Sequence, residues 1–242
     1  MLRQSYPRAT MGFSRITGIA ALGFAFTIVL ANVIMTPAGL PLTGAGIDEV
    51  NAFFGTEGEV VAVASALTPA AWLLATLFGA GAVSALRRSE RGRDEAWSLL
   101  GFTGLALQNV TFAAVIATRL ALTSTAERHD TATGGLWVLH DALFTLNGTF
   151  LALALLGLSV AGLRAGLIRP WHGTVGLVSA ALLFGSATLT PLVIDRAGPL
   201  GLLGLAGWLM WVVWIVAYGV TLIRLNRAHG PAADVPGADR PE

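Results

Sequence analysis

Leu139-His140-Asp141-Ala142-Leu143-Phe144-Thr145-Leu146-Asn147-Gly148-Thr149 opens an apolar run that continues to about Leu163. A helix over residues 136–163, at about 1.5 Å per residue, would be longer than the roughly 30 Å hydrocarbon core of a bilayer. The run therefore reads as a membrane span. The ionisable pair His140-Asp141 near its start needs a reason, because an intramembrane charge faces a bundle interior or water, not lipid. Any polar site is expected to be built around this stretch.

Five similar runs surround it, at about residues 13–35, 60–86, 96–122, 171–194 and 200–225. The 242-residue chain is 55% hydrophobic and 12% charged, with a mean hydropathy of +0.70. A soluble domain would carry about 25% charged residues. The runs lack the alternation of a barrel strand, so the fold is expected to be all-α, a polytopic bundle of six transmembrane helices. Residues 1–12 read as a cytoplasmic lead, 13–225 as the membrane domain, and 226–242, rich in Ala, Pro, Gly and Asp, as a disordered cytoplasmic tail. Within the outer loop 36–59, Ile47, Val50, Phe53 and Phe54 share one helical face behind Asp48 and Glu49. That pattern predicts a short amphipathic helix at the interface, covering helix ends in preference to acting as a lid. Pro69 predicts a kink in the second span.

Twelve arginines, among them Arg15, Arg87, Arg88, Arg91, Arg93, Arg164, Arg169 and Arg224, fall on one side of this arrangement. Arg119, Arg128 and Arg196 fall on the other. The positive-inside rule then places both termini in the cytoplasm and the chain in the cytoplasmic (inner) membrane. The arginines are accounted for by topology, so no nucleic-acid partner is expected.

Aligning the spans by depth puts Asn109 and Asn147 near the midplane. Arg119 lies about 15 Å outward of Asn109, and His140 and Asp141 about 10 Å outward of Asn147. Arg119 is expected to pair with Asp141 or Asp195, with His140 nearby. Such a group is either a structural ion pair or the mouth of an outward-facing cavity; the structural reading is favoured because charges near the interface cost little. Ligand-binding candidates are Asn109, Arg119, Asn147, Trp211 and Trp214; Trp211, Trp214 and Tyr218 share a face, for which packing is the favoured reading and an aromatic wall for an isoprenoid or other planar lipid the sharper one. If the protein is an enzyme, Asp141 assisted by His140 is the general acid or base.

Several chemistries are excluded. There is no cysteine and no lysine, which removes thiolate metal sites and Schiff bases. His140 and His172 lie about a membrane thickness apart and cannot share a haem or a metal. No metal or cofactor is expected. Transport pointers are weak, since neither an inverted repeat nor a pair of broken helices is evident.

Leu167-Ile168-Arg169-Pro170-Trp171-His172-Gly173, leading into Gly176-Leu177, resembles the Leu-Ile-Pro-basic-Trp turn before the fifth helix of a bacterial six-helix membrane family catalogued as a domain of unknown function. The order of elements agrees along nearly the whole chain. The proline and the basic residue are exchanged here, and Gln108-Asn109 stands where that family often has an acidic residue. The resemblance implies the fold and no activity. From the residues, the leading expectation is a non-catalytic protein that binds a small lipophilic molecule or a membrane partner through an outward-facing polar and aromatic cavity, with membrane lipid as a partner. A lipid or isoprenoid cyclase or isomerase, or an exporter subunit, are the alternatives.

Overall fold

A computed structural model describes residues 12–128, 130–195 and 200–228, with 195 and 226–228 described by backbone alone. The expected lead 1–12 (but for Gly12), the tail beyond Ala228, His129 and Arg196 lie outside the described residues, as does the side chain of Asp195. All elements are helices: α1 (Phe13–Met35), α2 (Ile47–Thr56), α3 (Gly58–Ala66), α4 (Thr68–Arg91), α5 (Trp97–Glu127), α6 (Ala132–Arg164), α7 (Pro170–Thr188), α8 (Thr190–Asp195) and α9 (Gly201–Ala228).

Five of these segments are long and apolar enough to cross a membrane: Phe13–Met35, Gly58–Arg91, Trp97–Glu127, Ala132–Arg164 and Gly201–Leu225. That points to a membrane location, with five candidate spans where six are expected. The fifth run is the shortfall. Its helix α7 has 19 residues and starts on Pro170-Trp171-His172-Gly173-Thr174, so it is short and polar at one end. It then breaks at Leu189 before the six-residue α8. Large apolar side chains elsewhere point outward, with Phe26, Leu73 and Val110 at 67%, 70% and 70% exposure. Surfaces of that kind suit lipid.

The helices close into a ring: α1 packs on α4 and α9, α4 on α5, α5 on α6, α6 on α7, and α7 on α9. The α5–α6 contact is close because Gly101, Gly104 and Gly157 sit in it. A Cβ on Gly104 would stand 2.5 Å from the backbone nitrogen of Ala154, so only the bare backbone lets these helices meet. One end of the ring gathers the start of α1 and the end of α9, together with the turns α4–α5 and α6–α7. There Arg164 bonds to Glu95, and Arg93 Nε does so at 3.1 Å. Burial raises the Glu95 carboxyl, but the Arg93 hydrogen bond and the charges of Arg164 and Arg93 outweigh this and hold it below its ordinary range. Glu90 is buried beside them and accepts the Ser98 N–H at 2.6 Å and the Ser98 hydroxyl, closing the first turn of α5.

The kink expected at Pro69 is a break at Leu67 between α3 and α4. Proline has no N–H for the Ser65 carbonyl, and Thr68 Oγ1 donates to that oxygen instead, at 2.7 Å. Thr190 does the same ahead of Pro191, donating to the Ala187 carbonyl at 2.6 Å. Two helix breaks are therefore present where no pair of broken helices is expected, and at each the threonine before the proline donates to the freed carbonyl. The interior has two cores. Phe24, Phe78, Leu155, Trp214, Ile215, Tyr218 and Leu222 fill the ring. Met35, Val50, Phe53, Phe54, Leu122 and Trp137 form a second core beneath α2. The amphipathic helix of the outer loop thus packs as a cap across the ends of α5 and α6.

Candidate functional site

Beneath that cap, α5 supplies Arg119 and α6 supplies His140 and Asp141. Arg119 Nε–H donates to His140 Nε2 at 3.0 Å. A guanidinium has no acceptor, so Nε2 must be the accepting nitrogen and the ring proton sits on Nδ1. Nδ1–H then donates to Asp141 Oδ1 at 3.1 Å. The expected partners are joined through a neutral imidazole and not by direct contact. Exposure is 9% for Arg119, 3% for His140 and 1% for Asp141, so the arrangement is desolvated and each member depends on the next.

The connection from α1 to α2 completes it. Gly44 N–H donates to Asp141 Oδ2 at 2.8 Å. Gly44 has φ +82°, a left-handed conformation that a side chain would strain. The Trp137 indole N–H donates to the Ala45 carbonyl at 3.2 Å, and Arg119 Nη1 lies 3.7 Å from Met35 Sδ. The cap is therefore latched to α5 and α6 by three consecutive parts of one segment: the end of α1, Gly44 and Ala45. Thr145 returns its hydroxyl to the Asp141 backbone carbonyl at 2.8 Å.

Around this polar line runs an aromatic one. Trp137 and His140 stack at 4.9 Å, His140 and Phe144 at 6.0 Å, and Phe112 meets Phe144 at 6.5 Å. The Arg119 guanidinium lies 5.9 Å from the Phe144 ring centre, within cation–π range. Trp137 is buried and Phe144 is 41% exposed. The stack thus leads from under the cap to the outer surface of the bundle.

The other candidates are elsewhere. Asn109 turns to α4, where its amide reaches the Trp72 carbonyl at 3.4 Å and Thr76 Oγ1 at 3.5 Å. Asn147 is buried, and it shares no hydrogen bond with Asn109; both side-chain carbonyl oxygens, with that of Gln108, have no partner among the described residues. Trp211 and Trp214 are buried against Phe24, Phe78 and His172 in the ring core. The structure therefore brings together Arg119, His140 and Asp141, and leaves Asn109, Trp211 and Trp214 outside that group. Sequence reasoning missed Gly44, Met35 and Phe112, whose part depends on the path of the cap and on packing.

Two shallow depressions of about 300 and 310 Å³ flank α2, lined by Asn51, Gly55 and Glu127 on one side and Ala38, Glu49 and Thr56 on the other. Neither reaches the Arg119–His140–Asp141 group. No group of three potential metal ligands occurs among the described residues. Searches of protein-family models, curated proteins and solved structures found no match for the chain, so the likeness of the Leu167–Gly173 turn rests on those residues alone.

Proposed function

We propose that this is a six-crossing protein of a cytoplasmic membrane, both termini inside, that binds a small lipophilic molecule at its outer, capped site. Six crossings are supported by the place of α7 and α8 in the ring, between α6 and α9. The arginines at the end where α1 begins and α9 finishes support the orientation. The observation that carries the binding reading is the aromatic stack from buried Trp137 through His140 to half-open Phe144. It offers an apolar ligand a continuous ring surface beside one held cation.

A binding role suits the polar group better than catalysis. Both nitrogens of His140 and both oxygens of Asp141 are occupied, which leaves no ready base while the cap is shut. Native mass spectrometry of the protein extracted from its own membrane tests the reading. The wild type should carry a lipophilic adduct that the double variant Phe112→Ala/Phe144→Ala loses while keeping its helical circular dichroism. A wild-type spectrum free of any adduct would overturn it.

A further inference from the structure

We infer that the ligand of this site carries an oxyanion, the carboxylate or phosphate of an acidic lipid, and that Arg119 binds it. The inference rests on the ligand-binding reading above and names the class of molecule. Arg119 is nine-tenths buried, yet its fork is only partly used. Nε donates to His140, and Nη1 has a thioether at 3.7 Å, a weak acceptor. Among the described residues nothing accepts the remaining N–H groups of the guanidinium. A largely buried cation with open donors gains from an acceptor that completes it. The bridging imidazole bears no charge, so the only carboxylate in the group, Asp141, stands beyond it and does not touch the guanidinium. What exposure the group retains belongs mostly to Arg119, the outermost link of the chain from Asp141.

Depth selects the source. At 31 residues α5 is about 46 Å long and overhangs a hydrocarbon core of roughly 30 Å. Arg119, at about 12 Å from its outer end, lies a few ångströms inside the headgroup boundary. A single-chain acid resting its tail on Phe112 and Phe144 would bring its headgroup to that level. Arginine takes carboxylate or phosphate through paired N–H groups in its plane, and the unused edge is what such a pair requires. Asp141 tempers the attraction through the imidazole but keeps the acid at a distance from its own charge.

The test uses the full-length protein in phosphatidylcholine nanodiscs, reading quenching of tryptophan fluorescence by a brominated fatty acid. Displacement is then compared for oleate, methyl oleate and inorganic phosphate. Oleate should displace about tenfold or more better than methyl oleate, the factor expected of one charge-assisted contact. Inorganic phosphate should displace only at far higher concentration. Arg119→Gln should erase the preference for acid over ester. The wild-type comparison stands even if that variant does not fold. Equal displacement by acid and ester overturns the oxyanion while leaving the lipophilic site intact; displacement by neither overturns both. Phosphate as effective as oleate overturns the lipid source, and an acid preference surviving in Arg119→Gln overturns the assignment to Arg119.

Discussion

Removing the Asp141 carboxylate separates a charged network from ordinary packing polarity. Asp141→Ala deletes the acceptor of two hydrogen bonds, from His140 Nδ1–H at 3.1 Å and Gly44 N–H at 2.8 Å. It strands the buried His140 donor, removes the acceptor of the partly buried Gly44 N–H, and leaves Arg119 without its counter-charge. Side-chain hydrogen bonds between membrane helices average about 0.6 kcal/mol, so two neutral ones would sum to roughly 1 kcal/mol. Breaking a buried charge pair instead costs about 3–5 kcal/mol, a large share of a typical stability of about 5–15 kcal/mol. The geometry argues for the larger value, since the group is at most 9% exposed and water cannot replace the lost partner. Arg119→Ala should cost a similar amount, because it leaves the Asp141 charge and the His140 acceptor behind. The double variant should then lose little more than either single one, so the coupling should approach a single loss, about 3 kcal/mol or more. Reversible unfolding in mixed micelles, followed by circular dichroism, measures all three. Single losses near 1 kcal/mol, or a double loss equal to their sum, would refute the idea that one charge balances the other through the imidazole.

Other outcomes follow from separate features. Gly44→Ala retains the N–H but forces a side chain into φ +82°, at a cost of about 1–2 kcal/mol; hydrogen exchange should rise over residues 36–57 and stay unchanged at the centre of α6. Thr68→Val and Thr190→Val each remove the hydroxyl donor from a carbonyl that the following proline cannot bond. Each should lower the unfolding free energy by about 1 kcal/mol, and the two losses should add. Topology reporters fused after Ala228 and ahead of Phe13 should both report the cytoplasm. A C-terminal fusion on the outer side would leave five crossings and exclude α7 from the membrane.

The sequence allowed the amphipathic helix α2 and the meeting of His140 and Asp141 with Arg119 to be read in advance, and the reasons are simple. Apolar length marks a span, a 3.6-residue period marks the face of α2, and counting residues from the span ends gives depth. Depth is a single coordinate, however. Asn109 and Asn147 are expected to share it, yet every helix of a closed ring has two neighbours. Asn109 faces α4, and no hydrogen bond joins it to Asn147. Trp211, Trp214 and Tyr218 do share a face, but the face turns into the ring against Phe78 and His172. Sequence alone could not tell that inward face from a ligand wall.

The order within Arg119, His140 and Asp141 was hidden for a related reason. Residues 140 and 141 point about 100° apart on a helix, and only one of them can lie directly toward α5. Packing gives that direction to the histidine and leaves the carboxylate to be met by the cap. The cap can meet it because Gly44 takes a backbone conformation that brings its N–H to Oδ2. The aspartate is thereby spent on holding the outer loop, and the arginine is left with donors to spare. That division of partners, and not the mere proximity of opposite charges, is what leaves Arg119 with N–H groups that nothing among the described residues accepts.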